Sequence, residues 1–206
     1  MVEKYNIPPE YKLRDTLVHE NLFDFIMPWM KKKNIYTHTY NYLMLGGLVI
    51  LGGLIGFRFA VGTLDTTLFT HLFLGFALTF LLIPFHEALH GIAYKFAGAE
   101  KVTYKAHWKK LTFYAIADKF PIGYKPFRYI ALLPFIVITT IGVIMIFIFP
   151  DYWALFFGIL LAHSTFCGGD FALLSYMYIH RHWNILTVDD VEEGKSYFFV
   201  NINNGE

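Results

Sequence analysis

The stretch "LLIPFHEALHGIAYKFAG", residues 81–98, decides how the rest of the chain is read. It closes an apolar run, "LFTHLFLGFALTFLLIPF" at residues 68–85, yet it carries two histidines and a glutamate. Ionisable groups at hydrocarbon depth are costly unless something pairs or coordinates them. His86, Glu87 and His90 form H-E-x-x-H. On a helix, positions i and i+4 lie about 40° apart around the axis and one turn apart along it, so both imidazoles reach one cation. Zinc is the metal this motif implies, with the glutamate beside the first histidine placed to handle a water on the ion.

The composition agrees with a membrane setting. The chain has 206 residues, 56% apolar and only 16% charged, where a soluble domain carries about 25% charged residues. A net charge of +1 gives no reason to expect nucleic acid. A single cysteine, Cys167, excludes an internal disulfide and a multi-cysteine zinc cluster. The polar, mixed-charge N-terminus lacks the layout of a cleavable signal peptide, so the chain is expected to keep its whole length.

Four segments reach the roughly 20 apolar residues a spanning helix needs: residues 40–62, 66–96, 127–149 and 151–178. The links "GTLDT" and "FPDYW" are short enough only for tight turns, which pairs the spans into two hairpins. Lys31, Lys32 and Lys33 precede the first span, and Lys101, Lys105, Lys109, Lys110, Lys119, Lys125 and Arg128 crowd the 97–126 connection and its flank. Excess lysine and arginine marks the cytoplasmic side, so both termini and this connection are expected there, with Arg58 as a minor dissent. The expected fold is an all-α polytopic membrane protein of four transmembrane helices. It divides into a cytoplasmic segment 1–39, a core 40–180 and a cytoplasmic tail 181–206. Alternation around Val102, Tyr104 and Ala106, and the β-prone "LTFYAIA", predict a small cytoplasmic-side β element in the connection; "SYFFVNI" predicts a strand in the tail. Gly52 and Gly56 give the first span a small-xxx-small face suited to close helix packing.

Of sixteen acidic residues, only Glu87 and Asp170 lie well inside the spans. Glu87 comes 21 positions after Thr66, roughly 31 Å along a helix, and Asp170 comes 19 after Asp151, roughly 28 Å. The two carboxylates therefore sit at similar depth. A catalytic zinc takes three protein ligands and keeps one position open. His86 and His90 supply two, and Asp170 is the choice for the third, because the spans offer almost no cation to pair with it. His163 and Cys167 share a face with Asp170. His163 is an alternative ligand, but it lies about 10 Å from Asp170 on a regular helix, and a hydrogen bond to substrate or developing oxyanion is the preferred role. A satisfied core histidine is the competing reading, and Cys167 reads as a small buried side chain. The pair Gly168–Gly169 weakens the fourth span locally, and Pro84 is expected to kink or loosen the second.

An H-E-x-x-H at the inner end of one span with a later G-D in another resembles the site-2-protease class of intramembrane zinc proteases. The chain looks most like a set of bacterial four-span proteins grouped as DUF3267 and labelled zincin peptidases. The resemblance is carried by "HEALHG", by "LLPFIVITTIG" at residues 132–142 and by "HSTFCGGDFALL" at residues 163–174. It implies His86, His90 and Asp170 as ligands and Glu87 as base, in a bacterial plasma membrane, with the 97–126 connection guiding substrate. The order Gly169–Asp170–Phe171 departs from the Asp-Gly usual in site-2 proteases, and their PDZ and CBS modules are missing. Substrate choice then falls to the spans, the connection, or an adaptor or regulatory partner. The expected activity is hydrolysis of a peptide bond in a membrane-embedded or membrane-proximal protein or peptide near the cytoplasmic leaflet. A metal transporter or sensor, and an inactive scaffold, are the rival readings of the same ligands.

Overall fold

Side-chain patterning and capping set the helix bounds in this computed structural model, which describes residues 2–107 and 112–204. Lys109 and Lys110, two of the basic residues counted above, lie outside the described residues. In chain order the elements are β1 (Tyr11–Val18), α1 (Leu22–Met30), α2 (Ile35–Ala60), α3 (Thr66–Phe96), β2 (Thr103–His107), β3 (Thr112–Ile116), β4 (Ile122–Gly123), α4 (Tyr124–Ile148), α5 (Trp153–Phe166), α6 (Gly168–Ile179), β5 (Leu186–Asp190) and β6 (Lys195–Asn201). The protein is mostly helical with a small β region.

Helix α2 starts five residues before the expected span because Asn34 caps it: its side chain accepts from the backbone of Tyr36 and Thr37, and Thr37 returns the bond to Asn34. Such a capping box satisfies N–H groups that would otherwise lack partners. Asp65 does the same for α3, accepting from the Leu68 N–H. Helices α2, α3 and α4 are each long and apolar enough to cross a membrane. Where a fourth span was expected the chain forms two helices, α5 and α6, which meet at Cys167 with a 41° bend and are long and apolar enough to cross a membrane only when taken together. The break falls at the Gly168–Gly169 pair, where helix propensity is lowest. Outward-facing Phe73 and Phe147 stay exposed, so the helices are apolar outside as well as inside, which suits a lipid surround.

Close helix packing occurs elsewhere than expected. A Cβ on Gly75 of α3 would lie 2.1 Å from the Leu155 carbonyl oxygen, and one on Gly158 of α5 would lie 2.6 Å from that of Leu72. Each glycine therefore lets the opposing backbone in, locking α3 against α5. Gly52 and Gly56 of α2 meet nothing within 4 Å. The expectation that they form a packing face is corrected within this chain, because α2 lies at the edge of the bundle and packs through its other residues.

A four-stranded antiparallel sheet, in the order β1-β6-β5-β4, joins the N-terminal segment, the 97–126 connection and the tail. Strands from the segments 1–39 and 181–206 and from the connection thus pair in one sheet. The sheet has two apolar faces. Val188, Tyr197 and Phe199 pack on Tyr5 and Ile7, while Leu17 and Phe198 join the core with Ile130, Leu174 and Tyr176 of the helices. The strand expected from "SYFFVNI" is β6. The β2–β3 hairpin lies where strands were expected in the connection. Helix α1 packs on α6 through Trp29, whose ring meets Tyr176 edge-on at 4.7 Å and whose carbonyl accepts from Ser175 Oγ at 3.0 Å.

Candidate metal centre

Helix α3 runs through Pro84 as one element and carries His86, Glu87 and His90 in its C-terminal third. The two imidazoles face each other with Nε2 atoms 3.0 Å apart. Asp170, in the first turn of α6, closes the group: Oδ2 is 3.3 Å from His86 Nε2 and Oδ1 is 3.4 Å from His90 Nε2. The break at Cys167 is what begins a new helix here and swings its first turn toward α3.

The donor set fits a divalent cation. Donors bonded to zinc at about 2.0–2.1 Å in a tetrahedron stand roughly 3.3 Å from one another, and the three separations above are 3.0, 3.3 and 3.4 Å. The proton bookkeeping agrees. His90 Nδ1 lies 2.9 Å from the Ile130 carbonyl, which only accepts, so a proton sits on Nδ1 and in the neutral ring Nε2 is bare. His86 Nδ1 lies 3.1 Å from His163 Nε2. With the proton on His86 Nδ1, its Nε2 is bare as well. Two lone pairs and a carboxylate then point at one another, an arrangement that a cation relieves.

The freed Ile130 carbonyl has a cause in α4. Pro134 stands four residues later inside the helix and has no N–H to give back to it. The acceptor left over takes His90 instead. This explains physically why "LLPF" belongs with the histidine motif, which residue spacing alone did not disclose.

His163, in the last turn of α5, is only 2% exposed and meets the His86 ring edge-on at 63°. It backs His86, and Cys167 Sγ lies 3.6 Å from its Nε2. His86, His163 and Cys167 form a second close group of donors, but it uses the nitrogen of His86 that faces away from Asp170. His163 therefore meets α3 through His86, with its Nε2 3.1 Å from His86 Nδ1.

Glu87 has one carboxylate oxygen, Oε2, buried with no hydrogen-bond partner among the described residues. The backbone N–H of Ala115 in β3 reaches the same carboxylate. Glu87, both motif histidines and Asp170 line a cavity of about 710 Å³ that extends to the inner face of the four-stranded sheet. Its walls are largely apolar, including Ile26 and Met27 of α1 and Phe166 of α5. Sequence reasoning missed Ile130, Ala115 and the sheet face, because a backbone carbonyl or N–H leaves no residue-type signal.

Compared with known proteins, residues 79–182 match the family described as "Putative zincin peptidase" (DUF3267). No curated protein and no solved structure matches the chain.

Proposed function

This chain belongs to the DUF3267 family, and from that premise we propose a zinc-dependent peptidase that works within the membrane, hydrolysing a peptide bond of a membrane-embedded or membrane-adjacent substrate near the cytoplasmic leaflet. The observation that carries the reading is the meeting of His86, His90 and Asp170 at 3.0–3.4 Å beside an unpartnered Glu87 oxygen in a cavity. The reading includes four spans in two hairpins, α2 with α3 and α4 with the bent α5–α6 pair. The sheet side, carrying Lys31, Lys105, Lys119 and Arg128, is then cytoplasmic, and the turns with Asp65 and Asp151 face outward.

Zinc held by His86, His90 and Asp170 would lower the pKa of a water and polarise the scissile carbonyl. Glu87 takes the proton of the attacking water and passes it to the leaving amine. Glu87 lines the cavity, where both groups must come. His163 and the Ile130 carbonyl hold the two imidazoles in their tautomers. Strand β3 pairs only with β2 among the described residues, and its other edge lies beside Glu87. An extended peptide added to that edge would bring its backbone to the acid, in the manner of strand addition. A helical substrate must unwind locally to do so, which favours residues of low helix propensity near the cut.

The test joins metal analysis of purified protein to a membrane proteome comparison of wild type and Glu87→Gln. The expected result is zinc retained in Glu87→Gln, lost in His86→Ala, His90→Ala and Asp170→Ala, and one precursor accumulating when Glu87 is replaced. A transport site using Glu87 as ligand would instead lose metal in Glu87→Gln, and that outcome overturns the peptidase.

A further inference from the structure

The cavity that holds the zincin motif has a second polar end, on the sheet. Leu17 of β1, Ser196 of β6 and Asp189 of β5 stand opposite one another in one row across three strands. His19 follows directly after β1. His19, Thr187, Asp189 and Ser196 all line the same cavity as Glu87 and Asp170. Tyr94 of α3, also in the wall, is within electrostatic reach of Glu87, Asp170 and Asp189.

This end offers acceptors without a cation. Ser196 Oγ donates to Asp189 Oδ1 at 2.5 Å, so the hydroxyl has spent its one proton. His19 Nε2, 3.0 Å from the same oxygen, must then donate to it, which leaves Nδ1 bare. Burial, with the Lys105 ammonium nearby, pushes His19 down to about 4 and keeps it neutral. The Thr187 hydroxyl is on a side chain 6% exposed and has no hydrogen-bond partner among the described residues. Threonine and aspartate two apart on β5 point to the same face. The second oxygen of Asp189 has no cationic partner among the described residues. Lys105 donates instead to the Val191 carbonyl at 2.6 Å. A half-buried carboxylate with two neutral acceptors beside it is short of N–H donors.

We infer that this sheet end of the cavity is a subsite for an alkylammonium group, the chemistry shared by a lysine side chain and a free peptide N-terminus. Asp189 takes the charge, and Thr187 and His19 take the remaining N–H groups. Its use in choosing substrates rests on the peptidase reading, whereas the binding itself does not.

The test uses the full chain in detergent or nanodiscs and three small probes: Nα-acetyl-lysine amide, norleucine amide and the neutral Nα-acetyl-norleucine amide. Binding is read by ligand-observed NMR at pH 7, where the α-amine of norleucine amide is mostly protonated. At least one of the cationic probes is expected to bind about 10-fold tighter than the neutral one, a preference lost in Asp189→Asn with neutral binding unchanged. Thr187→Val should weaken only the cation, by about 3-fold. A preference for acetyl-lysine amide assigns the side chain, and one for norleucine amide assigns the terminus. Equal binding of cationic and neutral probes, or a preference that survives Asp189→Asn, overturns the subsite. Failure of the peptidase reading looks different: no precursor accumulates in Glu87→Gln while the cation preference remains.

Discussion

His90 donates from Nδ1 to the carbonyl of Ile130, 2.9 Å away, across the gap between α3 and α4. The acceptor is available because Pro134 cannot supply the helical N–H that would normally occupy it. A missing hydrogen bond in one helix thereby fixes a ring on another. Pro134→Ala restores a competing donor to Ile130. Zinc affinity is expected to fall by about 10-fold, at the low end for loss of a partner behind a metal-bound histidine, while thermal stability holds or rises. Competition with a chromophoric chelator measures the first, and a melting curve the second. Unchanged affinity would show that the proline serves helix packing alone.

His163 touches His86 through Nε2 rather than reaching Asp170. If it positions the ligand, His163→Ala lowers zinc affinity by about 10- to 100-fold without removing the site, and His163→Gln restores part of it. If its work is on the substrate, affinity stays and only turnover falls. The same chelator competition separates the two.

Asp189 supplies a pH test of the sheet. Burial, with the Asp118 carboxylate beside it, pushes its pKa up to about 6 in spite of the Ser196 hydrogen bond. A carboxyl raised above its unfolded value contributes stability that is fully present below about pH 4 and lost as pH rises through 6. The wild type therefore loses up to about 3 kcal/mol between pH 4 and pH 8 that Asp189→Asn does not. Urea or thermal unfolding of both proteins across that range should show the curves diverging upward in pH, with the variant the more stable at pH 8. Parallel curves would mean the carboxylate is solvated or paired.

Glycine substitutions should sort by location. Gly75→Leu and Gly158→Leu push into opposing backbone and are expected to cost about 1–3 kcal/mol or more as overpacking, with loss of zinc because α3 and α5 carry His86 and His163. Gly52→Leu and Gly56→Leu face open space and should leave both properties within error. Melting temperature and zinc content of the four variants check the contrast.

The spans and the motif were legible because hydrocarbon length and the i, i+4 rule act on single segments. Asp170 was reachable too, since an unpaired acid in an apolar run stands out. What stayed hidden depends on distant partners. Strand β1 reads as a mixed-charge stretch, and only β6, far along the chain, makes it a strand. The bend at Cys167 was hinted at by two glycines, but its effect, a His163–His86 contact, depends on where α3 lies. Gly52–Gly56 and Gly75 are alike in type, and only the neighbouring helix tells a packing seam from an idle one. The Asp189 row needed three strands in register before it became a feature.

The pairing of Tyr11–Val18 with Lys195–Asn201 also sets an order of events during synthesis. An early strand must wait, unsatisfied along one edge, while every long helix is made. Only when the late strand emerges from the ribosome can the layer beneath the helices zip shut. The chamber therefore gains its base last, so a half-made chain already owns its histidines but has no completed pocket in which to use them.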